Sequence, residues 1–114
     1  MAEQKFILRE KCLEMMDYAY DAMKDMPKDH RYTLGGEIIK SMGTLLRLII
    51  RCGKKYYKKT TLEEMDIEHD ALEGHFQVAF MRKAITPNET ITRLVNETAE
   101  KENIINELMK EITY

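Results

Sequence analysis

The chain has 114 residues, with 18 Lys plus Arg against 20 Asp plus Glu for a formal charge of −2. Charged residues make up 33% while glycine and proline number only five and two, so helix formers dominate and an all-β domain is excluded. The length suits one domain, residues 1–114; it holds no apolar run long enough to cross a bilayer and no leader-like N-terminus, and a cytoplasmic protein without a membrane partner is expected.

The first predicted helix covers residues 3–25. Leu8, Cys12, Met15, Ala19, Ala22 and Met26 recur at 4-3-4-3-4 spacing, with Leu13, Met16, Tyr20 and Met23 as a flanking row, the wide stripe a bundle helix needs. Pro27 ends it, because its ring disfavours helical geometry at Met26 and it has no amide hydrogen to donate. The same residue suits the first turn of a second helix, predicted as one element over residues 28–58. Its apolar row is Leu34, Ile38, Met42, Leu45, Ile49, Cys52 and Tyr56. Four glycines interrupt that helix (Gly35, Gly36, Gly43 and Gly53), each costing about 1 kcal/mol against alanine in an exposed helix interior. Their small size therefore serves either close helix approach inside the fold or a flat surface for another subunit.

Thr60 and Thr61 offer a capping box with Glu63 and Glu64 for a third helix over residues 62–85. Its row is Leu62, Met65, His69, Leu72, Phe76 and Ala79, and its early turns are acidic, as the helix dipole favours. A second capping box, Thr86-Pro87-Asn88-Glu89, opens a fourth helix over residues 87–112. Ile91, Leu94, Val95, Thr98, Ile105, Leu108, Met109 and Ile112 form its apolar face; Lys101 and Glu102 interrupt it, so a less buried middle is expected. Four such helices with short connections predict an all-α fold, an antiparallel up-down-up-down four-helix bundle.

Charge is unevenly spread: −2 over residues 1–37, +7 over 38–61, −4 over 62–85 and −3 over 86–114. Lys40, Arg47, Arg51, Lys54, Lys55, Lys58 and Lys59 supply the positive segment, which holds no Asp or Glu. They recur at helical spacing on the side away from the apolar row. Such a strip can neutralise several phosphates, and binding through it would weaken with salt. It can equally pair with the acidic start of the third helix or of a neighbouring subunit.

Catalytic constellations are not recognisable. Ser41 is the lone serine and has neither a glycine elbow nor a neighbouring histidine. Cys12 and Cys52 lack metal or redox spacing and read as small buried hydrophobes. A carboxylate-bridged metal site wants Glu-x-x-His on each of two helices; Asp66-x-x-His69 is the one near match, and His69 reads as an interior histidine held by hydrogen bonds. No enzyme activity and no cofactor are expected.

The run MPKDHRYTLGGEI at residues 26–38 resembles the FPK-x-x-RY-x-LG-x-x-I start of the second helix in small bundle proteins related to the 23S rRNA intervening-sequence protein. Within that group the chain is most similar to the accessory variability (Avd) proteins of diversity-generating retroelements. Residues 59–70, with Leu72 and Phe76, continue the likeness. The matching structural positions are Pro27, Arg31, Tyr32, Leu34 and Gly35. The resemblance implies a homo-oligomeric ring, typically five-fold (a pentamer), whose basic surface binds a reverse transcriptase and its template RNA or an RNA/DNA hybrid. By chemistry that surface transfers to Arg47, Arg51, Lys54, Lys55, Lys58 and Lys59. The other reading is an oligomeric scaffold that binds protein only.

Overall fold

Rows of apolar residues at helical spacing meet along one long axis. The computed structural model describes residues 2–54, 59–85 and 89–110, with side chains within 7–54, 59–85 and 89–105. Its elements are α1 (Ala2–Ala22), the short α2 (Lys28–Arg31), α3 (Leu34–Lys54), α4 (Lys59–Met81) and α5 (Glu89–Lys110). The described residues contain no strand.

The predicted rows are the buried rows. In α1 these are Leu8, Cys12, Met15 and Ala19; in α3, Ile38, Met42, Leu45, Ile49 and Cys52. All six positions of the α4 row are buried, and α5 contributes Ile91, Leu94, Val95 and Ile105. Each fully buried large side chain contributes about 1.5–3 kcal/mol of transfer free energy. Ala22 and Leu34 are half-buried, and of the α1 flanking row Leu13 and Tyr20 are exposed. Tyr56, Leu108, Met109 and Ile112 lie outside the described side chains.

Helix α1 packs on α3 and α5, and α4 packs on the same two, which closes a four-helix arrangement around one core. Partners across two of these faces run in opposite sequence directions, as antiparallel neighbours must. Arg51 meets Glu64 and Ser41 meets Glu68 between α3 and α4. Phe76 and Phe80 line one cleft with Ile91 and Val95, while His69 faces Glu102, between α4 and α5.

Four expectations are corrected. The second helix is not continuous: α2 and α3 are separated at Tyr32 and Thr33. There the Thr33 amide donates to the His30 carbonyl at 3.3 Å, and its hydroxyl donates to the Asp29 carbonyl at 3.2 Å. Those bonds close a tight turn, and the helix restarts where the Glu37 amide donates to the Thr33 carbonyl at 3.0 Å. The caps at Thr60 and Thr61 are overturned as well, since α4 begins at Lys59 and Thr61 is buried within its first turn. Packing against the core outweighed the local cap.

The third helix stops at Met81 rather than residue 85. Lys83 takes a left-handed φ of 59°, its amide donates to the Phe80 carbonyl at 3.1 Å, and the Ala84 amide reaches the Ala79 carbonyl at 2.9 Å. This is a Schellman C-cap with lysine where glycine is usual. Ala84 and Ile85 are buried beyond it, so the chain turns to cover the end of the core. Finally, the middle of α5 is not loosely buried: Glu102 is 1% exposed and Thr98 fully buried, its hydroxyl donating to the Leu94 carbonyl at 2.9 Å. The second capping box falls on residues 86–88, outside the described residues, ahead of α5.

The glycines divide. A Cβ at Gly35 would stand 2.9 Å from the Met26 sulfur, so here the start of α3 presses on the turn after α1. Nothing lies within 4 Å of a Cβ built at Gly36 or Gly53, and Gly43 faces only the Arg47 guanidinium. Close approach within the fold explains Gly35 alone.

Candidate nucleic-acid interface

Because Ile38, Met42, Leu45, Ile49 and Cys52 turn α3 inward, its basic residues are forced to the opposite side. Lys40, Arg47, Arg51 and Lys54 are all exposed, spaced 7-4-3 along the outer surface. Gly36 and Gly43 share that face, and Gly43, between Lys40 and Arg47, is faced by the Arg47 guanidinium. Lys59, exposed at the first residue of α4, adds a further cation where the helix dipole opposes it. Lys55 and Lys58 lie outside the described residues.

Of the described cations, Arg51 makes an ion pair inside the chain. Its Nη1 stands 3.5 Å from Glu64 Oε2, with both side chains about half exposed (51% and 50%). A pair so exposed is worth about 0–1 kcal/mol and exchanges readily for another anion. Elsewhere the charge is arranged differently: Lys11 bridges α1 to α5 through Glu97 at 3.2 Å, and Lys24 pairs with Asp21 at 3.0 Å. The hydrogen bond to Glu97 raises the Lys11 pKa, and that to Asp21 raises the Lys24 pKa.

The motif positions gather at the corner joining α1 to α3. Pro27, at φ −53° and ψ 144°, precedes α2 and its carbonyl accepts from the His30 and Arg31 amides, both at 3.0 Å. Arg31 Nη2 donates to the Met26 carbonyl at 3.4 Å, Leu34 packs on the core edge, and Gly35 admits Met26. Tyr32 differs: it caps the end of α2 through its backbone, and its side chain is 80% exposed.

One group was missed. His69 Nδ1 stands 3.4 Å from Glu102 Oε1, at 4% and 1% side-chain exposure, yet neither ring nitrogen nor Oε1 has a hydrogen-bond partner among the described residues. His69 is thus interior as expected but faces a buried carboxylate rather than hydrogen bonds. The signal was present in the sequence, since Glu102 falls four residues after Thr98 and seven after Val95, on the buried face of α5. Asp66, three residues before His69, is exposed, and among the described residues no group of three or more His, Cys, Asp or Glu stands together to hold a metal ion. Burial pushes the Cys12 thiol up to about 12, which suits a packing residue rather than a nucleophile. No helix among the described residues is long and apolar enough to cross a membrane.

The outer face of α3 can therefore offer a row of exposed cations to a polyanion, held by a rigid inner face. A model of the bAvd-like family matches residues 6–112, well beyond the motif-bearing stretch on both sides. No curated protein and no solved structure matches the chain.

Proposed function

The chain belongs to the bAvd-like family of accessory proteins, and from that premise we propose that it serves a diversity-generating retroelement as a non-catalytic, oligomeric bundle. It presents the outer face of α3 to a reverse transcriptase and its template RNA. The supporting observation is the row Lys40, Arg47, Arg51 and Lys54, all exposed and directed away from the buried face. Cations on a preformed helix gain affinity from counterion release, at little ordering cost to the backbone.

Charge reversal at Lys40, Arg47 and Lys54 tests this. RNA uptake at about 50 mM salt should be lost or strongly reduced, and for each phosphate contact removed the slope of log K against log salt should shrink by about 0.7–0.9. Helicity should not change. RNA binding equal to that of the unaltered protein rejects the reading.

The Arg51–Glu64 pair favours a second reading, in which the basic row pairs with carboxylates of its own assembly and the protein is a protein-binding scaffold. The same reversal would then dissociate the oligomer.

A further inference from the structure

Helices α4 and α5 leave a cleft between them. Its floor is aromatic: Phe76 and Phe80 stack with ring centroids 6.4 Å apart at 26°, and Ile91 and Val95 close it from α5. The inner part measures only about 110 Å³, room for one side chain, and past Phe80 it continues into an open groove of about 660 Å³ along α5. Phe76 is buried, whereas Phe80 is half-buried and lines both parts.

The rim is acidic and unanswered. Glu73 borders the inner part, Glu89 and Glu100 border the groove, and all three are exposed without an ion pair among the described residues. The side-chain amides of Gln77 and Asn96 line the same cleft. Of the described lining residues Arg93 is the cation, and Glu97 already holds it at 3.4 Å while also taking Lys11 from α1 at 3.2 Å. Arg82 and Lys83 follow Phe80 in the turn but line neither part.

An apolar floor below free carboxylates suits a cation with a flat, weakly hydrated head. A guanidinium meets both demands: it stacks on an aromatic face, and its donors fork to carboxylates and amide oxygens, whereas a lysine ammonium is compact and holds its water. A polyanion is repelled by the same rim. The chain's own cationic row does not reach the cleft, because α3 and α5 stand diagonally across the bundle. From Glu89 to Glu100 the groove follows eleven helical residues, about 16 Å, which is the span of about five residues of extended chain.

We propose that the cleft between α4 and α5 docks an arginine-bearing segment of a partner protein, an extended stretch of about five residues with one guanidinium stacked on Phe80 and its basic groups answered by Glu73, Glu89 and Glu100. The site shares no residue with the α3 face and goes beyond the function proposed above. Its assignment to a partner protein rather than to α3 of a second copy rests on that reading, which commits the α3 cations to RNA.

Fluorescence anisotropy of a dye-labelled Gly-Arg-Leu-Arg-Gly peptide, titrated with the full chain at low salt, tests it. Saturable binding is expected, weaker by about five- to tenfold for the lysine counterpart and for Phe80→Ala, the size of one cation–π contact. In Glu73→Gln/Glu89→Gln/Glu100→Gln it should be lost. If Phe80→Ala loses helicity, Phe80→Leu replaces it, filling the floor without a ring. Absence of saturable binding overturns the proposal, and so does equal affinity for either variant or for the lysine peptide. Light scattering on the triple variant reads the other occupant: a fall in mass assigns the cleft to a second copy and overturns the proposal as well. RNA uptake should persist in the triple variant. Its loss on α3 reversal with peptide binding intact leaves the cleft standing, so the two proposals fail separately.

Discussion

Helices α3 and α4 lie side by side, are nearly equal in length, and bury rows of the same period, yet they treat polar groups in opposite ways. In α3 the buried polar side chain is Ser41, and it is satisfied from the rim: its hydroxyl donates to Glu68 Oε1 at 2.7 Å, and that carboxylate still reaches solvent. In α4 the buried polar side chains are Thr61, in the first turn, and His69, which is opposed by a carboxylate as deeply buried as itself. On their outer faces the contrast inverts, with cations on α3 and an uncovered apolar row, Ile67, Val78 and Met81, on α4. Equal periodicity thus specifies equal helices and leaves open what each helix is for.

The largest expected effect lies in the α4–α5 layer. Glu102→Leu leaves the buried His69 ring facing only apolar groups and should cost about 1–3 kcal/mol in urea unfolding, whereas His69→Leu/Glu102→Leu should recover most of that loss. Single variants within about 1 kcal/mol of the unaltered protein would show that the pair is not a coupled unit. Ser41→Ala, the α3 counterpart, should cost only about 0.5–1.5 kcal/mol, since Glu68 can turn to water when its donor is lost. A penalty equal to that of Glu102→Leu would erase the distinction between the two helices.

The smallest effect is a gain. Lys83 holds a left-handed backbone at the end of α4, so Lys83→Gly relieves steric strain while adding freedom to the unfolded chain. The net should be a stabilisation of about 0.5 kcal/mol, seen as a higher urea midpoint with unchanged slope. A lower midpoint would mean that the lysine side chain, not the backbone turn, holds that end.

Much of this was legible beforehand. All six positions of the α4 row and five of the α3 row are buried where the 3.6-residue period put them. The exposure of Lys40, Arg47, Arg51 and Lys54 follows from the same count. Less was legible wherever a residue answers to a partner distant in sequence. Glu102 looked like an interruption because a carboxylate reads as solvent-facing until its buried neighbour is known. For Gly36, Gly43 and Gly53 the choice between close packing and an open surface was not legible, because size alone does not say which side of a helix is crowded.

What the sequence determined by itself is the class of elements and their inward faces, since period, proline and charge act over a few residues and need no partner. Tertiary structure decided the rest. It set the break at Tyr32 and Thr33, the start of α4 ahead of its threonines, the meeting of His69 with Glu102, and the exposure of the outer apolar row on α4. Each depends on which surfaces the folded chain has already covered, and local propensities of about 1 kcal/mol or less yield to the burial of whole side chains, worth about 1.5–3 kcal/mol apiece.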